Sequence, residues 1–224
     1  MSQNQSFWRG IVNKSGDPLD TGDRINEILF GLIMVLTFTC SISVATEGRE
    51  EIGIILWGAL GCNVAWGLID GLFFLMGTIF SRGEGLQTVS AVRKASDEEA
   101  TKIVKDAMNP LLASIAKEEH IAYFRDEIKK LPEPPKAFFT WSDIKGFFII
   151  FFLVVITTFP PVIPFIFLKD AAVALRVSNA IALVLLFIAG FILGKKTGWR
   201  PVLMGGMSML VGAVLVAITI ALGG

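Results

Sequence analysis

The chain is poor in the residues on which most site chemistry depends. Its 224 residues include two cysteines, one histidine and one tyrosine. Two cysteines exclude a disulfide-stapled scaffold, and beside a single histidine they exclude the usual Cys/His zinc sites. Neither sign of charge is in excess: 20 Lys and Arg balance 20 Asp and Glu, for a net charge of zero. A strongly basic nucleic-acid binder and an acidic tail are thereby excluded. Charged residues make up only 18% and hydrophobic ones 53%, with a mean hydropathy of +0.65. Soluble domains carry roughly 25% charged residues, so an ordinary soluble enzyme and a disordered chain are excluded as well. With one histidine, no cysteine outside the apolar runs and no glycine-rich phosphate loop, no catalytic set is expected.

What the chain does contain is long apolar runs. Crossing a hydrocarbon core of about 30 Å takes about 20 apolar residues as a helix. Five segments meet or approach that length: Ile28 to Thr46, Glu51 to Phe80, Phe147 to Leu168, Val177 to Gly194 and Pro201 to Gly224. Backbone amides in lipid must be satisfied within their own segment, so each is expected to be a helix. The fold class is therefore an all-α, integral, multi-pass membrane protein with five transmembrane helices. No short apolar stretch with a small-residue cleavage site marks the start as a cleavable signal. Seventeen Lys and Arg fall on the N-terminal side of the membrane, against Arg49, Lys169 and Arg176 on the other. The positive-inside rule places residues 1–27 and 81–146 in the cytoplasm and the C-terminus opposite. If the source is bacterial, the membrane is the plasma or inner membrane.

Residues 81–146 form the one sizeable polar stretch, a cytoplasmic insert between the second and third spans. Ser96 and Glu99 read as a capping box before an apolar face of Ala100, Ile103, Val104 and Ala107. Asn109-Pro110 ends that helix and starts the next. Ile121, Phe124, Ile128 and Leu131 continue an apolar stripe until Pro132, Pro134 and Pro135 stop it. A helical hairpin follows, with Glu98–Lys102 and Asp126–Lys130 as helix ion pairs. At about 65 residues the insert is small for an independent core, so packing on a second copy or on the membrane part is expected.

Asp70 is the sharpest candidate. It is the one charged residue inside a span, and a carboxylate at depth costs about 2.5–3.5 kcal/mol, so it belongs at a bundle interior or water-filled path. Asn63 and Gly77 lie seven residues to either side on the same face, and Gly67 leaves room for a close helix. In the first span Met34, Thr37 and Ser41 share a face. Met34 falls near the depth of Asp70 if both helices are straight, and a thioether beside a carboxylate suits a soft-to-borderline divalent metal. Pro160, within Thr157–Pro164, breaks the third span where a transporter can expose carbonyls. The transport pathway is thus expected to use Asp70, Asn63, Met34, Thr37, Ser41 and Pro160, with Asp70 and Met34 as metal ligands. Cys40 and Cys62 read as inert packing, and His120 as a solvated side chain. Gly190-x-x-x-Gly194 and Ser208-x-x-x-Gly212 permit tight helix packing.

Three stretches carry a family resemblance: Asn26–Leu32, Thr158–Phe165 and Trp199–Gly206. In layout and in these motifs the chain resembles the vacuolar iron transporter family. The resemblance implies a homodimer that exports ferrous iron or manganese from the cytoplasm in exchange for protons. It also implies a pathway acid in the first span, which falls on Met34 here, and a pathway methionine in the second, whereas the carboxylate in this chain is Asp70. The family's cytoplasmic glutamates three residues apart are missing from 81–146; the one such pair is Glu47 and Glu50. The expected function is a divalent-cation transporter in the bilayer, with metal ion and proton as substrates, no permanently bound cofactor and no nucleic acid. The alternative is a non-transporting scaffold that binds a partner through the insert.

Overall fold

The computed structural model describes residues 3–13, 19–40 and 49–221. Among them the chain is helical and contains no strand. In order the helices are α1 (Gln3–Asn13), α2 (Thr21–Cys40), α3 (Arg49–Lys94), α4 (Asp97–Ala107), α5 (Pro110–Ile115), α6 (Glu118–Lys130), α7 (Trp141–Thr157), α8 (Phe159–Phe167), α9 (Ala171–Thr197) and α10 (Pro201–Ala221). Four stretches are long and apolar enough to cross a membrane: Leu56–Lys94, Trp141–Phe167, Ala171–Thr197 and Pro201–Ile218. The first expected span is represented by α2 as far as Cys40; residues 41–48 lie outside the described residues.

Two compact units are present. One comprises Asp17–Phe73 and Lys145–Gly224, the other Met1–Gly16 and Phe74–Ile144. In the first, α9 is central and packs against α2, α8 and α10. The reason lies in its sequence: Ala174, Ser178, Ala182, Leu186, Gly190 and Gly194 are buried at four-residue steps, and most are small. A Cβ on Gly190 would lie 2.3 Å from Ser208 Oγ, and one on Gly194 would lie 2.8 Å from Pro201 Cα. The glycine and serine patterns of these two spans therefore meet each other, as backbone-to-backbone packing in lipid requires. Leu32, Leu36, Ala182 and Leu186 form the buried core between α2 and α9. Outward, α10 exposes Val202, Leu203, Leu210, Val211 and Val214, an apolar surface suited to lipid.

The proline-bearing third span is a restart of the helix rather than an open loop. Thr158 keeps right-handed helical backbone angles, and its N–H bonds the Val155 carbonyl at 3.2 Å. Pro160 and Pro161 then occupy the first turn of α8, where a missing N–H costs little. Pro164 lies inside α8 and leaves the Pro160 carbonyl without its i+4 donor.

In the second unit, Val92 at the end of α3 joins Ala100, Val104 and Ile121 in a small core. Ser96 caps α4, accepting from Glu99 N–H at 3.3 Å, and Asn109 caps α5 with Pro110 at its first position. The ion pairs differ from those expected on helix spacing. Asp126 pairs with its neighbour Arg125 at 2.7 Å, Lys130 with Glu127 at 2.6 Å, and Lys129 reaches Asp97 at 2.6 Å across the hairpin. The polar residues after Phe80 do not end the second span's helix, which runs on without interruption to Lys94.

Candidate functional site

The antiparallel register of α2 and α3 places the polar residues. Met34 Sδ and Cys62 Sγ are 3.6 Å apart, and the rings of Phe30 and Trp66 pack edge to face at 5.6 Å. Residue numbers at both contacts add to the same total, so one helical turn further along Glu27 comes within one residue of the level of Asp70. The two carboxylates lie within each other's electrostatic reach. Glu27 is half-buried, and one Asp70 oxygen, Oδ2, is buried with no hydrogen-bond partner among the described residues.

Glycines bring a third helix against this pair. A Cβ on Gly67 would lie 3.1 Å from the Phe151 carbonyl oxygen, and one on Gly71 would lie 2.7 Å from the Phe147 ring. On α2, a Cβ at Gly31 would fall 2.3 Å from Thr157 Oγ1. α7 therefore lies in the groove of α2 and α3, with Asp70 between two of the glycines that make the approach possible. Burial in such a crossing disfavours an unpaired carboxylate, and a second one close by adds repulsion. A cation or a proton would relieve both costs.

The other residues singled out on sequence fall in three places. Met34 faces Cys62, eight residues from Asp70 on α3 or about 12 Å of helical rise, so it is not beside the carboxylate. The straight-helix estimate failed because it measured depth from the ends of the apolar runs, while side-chain contacts set the register. Asn63 is fully buried; its amide donates to the Ala59 carbonyl at 3.1 Å and its Oδ1 has no partner among the described residues. Thr37 is exposed and its hydroxyl donates to Ile33 of its own helix at 2.9 Å. Pro160 is half-buried, Gly77 is open, and Ser41 lies outside the described residues.

Sequence reasoning missed Glu27 and Ser178 as site residues. Glu27 sits one residue before the first apolar run and reads there as a boundary charge. Thr39 lies 3.1 Å from both Asn179 Oδ1 and the Leu36 carbonyl, to one of which its hydroxyl donates. Ser178 is fully buried with its hydroxyl unpartnered among the described residues. Among those residues no group of three His, Cys, Asp or Glu side chains converges as a metal site. His120 is exposed at the start of α6, its Nδ1 accepting from Lys117 N–H at 3.4 Å.

In the other unit a buried ion pair ties α3 to the start of α7. Arg82 donates through both terminal nitrogens to Asp143, each at 2.9 Å, and also to the Phe138 carbonyl. Asp143 accepts in addition from Thr140 N–H at 2.6 Å. The Phe138 ring is covered by the guanidinium groups of Arg9 and Arg82, at 5.4 and 5.5 Å. Trp8 of α1 is buried and donates to the Glu133 carbonyl at 3.2 Å.

Helices of membrane-crossing length, closely packed on small residues and enclosing carboxylate and amide groups, define an integral multi-pass membrane protein. The family model described as the VIT family matches residues 81–224, and the chain belongs to that family. Membership makes it a membrane metal transporter by class and agrees with the resemblance to vacuolar iron transporters. The matched stretch holds α4 to α10 and the Arg82–Asp143 pair; Glu27 and Asp70 precede it. No curated protein matches the chain.

Proposed function

We propose that the protein exports a divalent cation of the iron(II) or manganese(II) type from the cytoplasm in exchange for protons. Glu27 and Asp70, brought to neighbouring levels of α2 and α3 by the Phe30–Trp66 and Met34–Cys62 contacts, carry this reading, with Asp70 Oδ2 buried and unpartnered among the described residues. Two half-buried carboxylates at neighbouring levels of adjacent helices are costly to keep charged and empty, so the pair holds either a metal ion or protons. Exchange of one for the other is the coupling step. Oxygen donors suit manganese and iron(II) better than thiophilic ions. Asn63 and the Pro160 carbonyl, which lacks its i+4 donor, would serve as further polar stations along the path. α2 is the first of five spans, with residues 1–27 and 81–146 on the cytoplasmic side and the C-terminus opposite, on the strength of the Lys and Arg bias. The protein works as a homodimer, without a resident cofactor.

The test is metal-dependent proton flux in proteoliposomes, wild type beside Asp70→Asn, with iron(II), manganese(II), cobalt(II) and zinc(II) offered in turn. Coupled flux in the wild type and its loss in the variant support the proposal. Metal flux without proton movement would point to a channel. Absence of any flux from folded protein would leave a partner-binding scaffold.

A further inference from the structure

Cys62 and Met34 come from different helices, 28 residues apart in sequence, and meet with their sulfurs 3.6 Å apart. At the zinc–thiolate bond length of about 2.3 Å, that separation subtends about 103° at a shared ion, and the longer bonds of a larger ion narrow the angle. Two-coordinate linear binding would need the sulfurs about 4.6 Å apart. The present spacing instead fits two corners of a tetrahedron. Cys62 is a free, half-buried thiol, so its proton can leave when a metal binds. Asn63, the next residue, lies about 100° further around the helix with its amide turned back to the Ala59 carbonyl, so the remaining positions around such an ion fall to water. Asp70 is about 12 Å further along the helix and belongs to a different level.

We propose that Cys62 and Met34 are two sulfur ligands of a second metal station, two helical turns from the carboxylate pair, for a soft four-coordinate ion such as cadmium(II) or copper(I). Thiolate and thioether donors select such ions, whereas the Glu27–Asp70 pair offers only oxygen. Binding exchanges the Cys62 thiol proton for the metal, and water completes the shell. The station stands apart from the transport reading, because its occupancy is read by binding alone.

The experiment uses the full-length protein in detergent with Cys40→Ala, so that Cys62 is the sole thiol. Cadmium(II) is titrated while the sulfur-to-cadmium charge-transfer band and protection of Cys62 from a maleimide are followed. The wild-type pair is expected to show a saturable band and full protection. Met34→Leu, a volume-conserving exchange, should weaken cadmium binding on the order of tenfold or more, and Cys62→Ser should abolish the band. An unchanged titration in Met34→Leu would mean a lone reactive thiol and overturn the proposal, as would no protection in folded protein. If Met34→Leu fails to fold, cadmium-edge X-ray absorption on the Cys40→Ala protein decides instead. Two sulfur neighbours uphold the station and one refutes it. Since the band arises only from sulfur, its loss and a loss of carboxylate-dependent flux are separate results.

Discussion

Breaking the Arg82–Asp143 pair gives a prediction whose size follows from burial. The Arg82 side chain is 11% exposed and that of Asp143 6%, so solvent screens the pair little. Replacing Arg82 by Met strips two charge-assisted hydrogen bonds from a buried carboxylate and leaves it the neutral donors of Thr140. Removing one partner of such a pair costs about 3–5 kcal/mol. For a chain of this length each kcal/mol moves the unfolding midpoint by about 2–4 °C, giving a fall of roughly 6–20 °C. Replacing both partners, as Arg82→Met with Asp143→Leu, removes the orphaned charge and should recover most of the loss. The assay is thermal unfolding of purified protein in detergent, followed by intrinsic tryptophan fluorescence at low and high salt. Because the pair is buried, salt should change the difference little. A midpoint within about 2 °C of wild type for Arg82→Met, or a double variant no better than the single, would refute the reasoning.

Further outcomes follow from the packing and the surface charges. Gly190→Ala puts a Cβ 2.3 Å from Ser208 Oγ and 2.8 Å from the Met204 carbonyl oxygen, and should cost about 1–3 kcal/mol. Gly206→Ala meets nothing within 4 Å and should be neutral or stabilising by up to about 1 kcal/mol; thermal unfolding distinguishes the two. The hydrogen bond from Lys129, then its charge and that of Arg125, hold the Asp97 carboxyl below its ordinary value. A depressed folded-state value means stability that is present above the ordinary carboxylate range and lost as pH falls through the folded one. Protection of the α4 and α6 amides, taken relative to their intrinsic exchange rates at each pH, should therefore fall in acid, and Lys129→Met should remove that part of the pH dependence.

Much of the architecture was legible because lipid imposes a severe grammar on sequence. The apolar runs beginning at Phe147, Val177 and Pro201 correspond to α7 with α8, α9 and α10, since backbone without water has few alternatives to a helix. Ser96 and Asn109-Pro110 marked their helix starts through side-chain chemistry that acts within a few residues. Long-range pairings had no such signal. Arg82 and Asp143 are 61 residues apart, and neither is unusual in a polar stretch. Glu27 was hidden by its position at the border of an apolar run, where a charge needs no explanation. Only the α2–α3 register, fixed by Phe30 on Trp66 and Met34 on Cys62, sets it opposite Asp70 and moves Met34 away. The extension of α3 past its apolar run to Lys94 was missed for a related reason: hydropathy reports where lipid ends, and a helix need not end there.

The central claim is that Glu27 and Asp70 act as one site, and a double-mutant cycle on metal flux tests it most directly. Flux of manganese(II) into proteoliposomes would be measured for wild type, Glu27→Gln, Asp70→Asn and the double variant, each shown to be folded. Groups that act as a unit are strongly non-additive. Each single change should therefore abolish most of the flux, and the double should be no worse than either. Normal flux in either single variant, or losses that multiply in the double, would contradict the account.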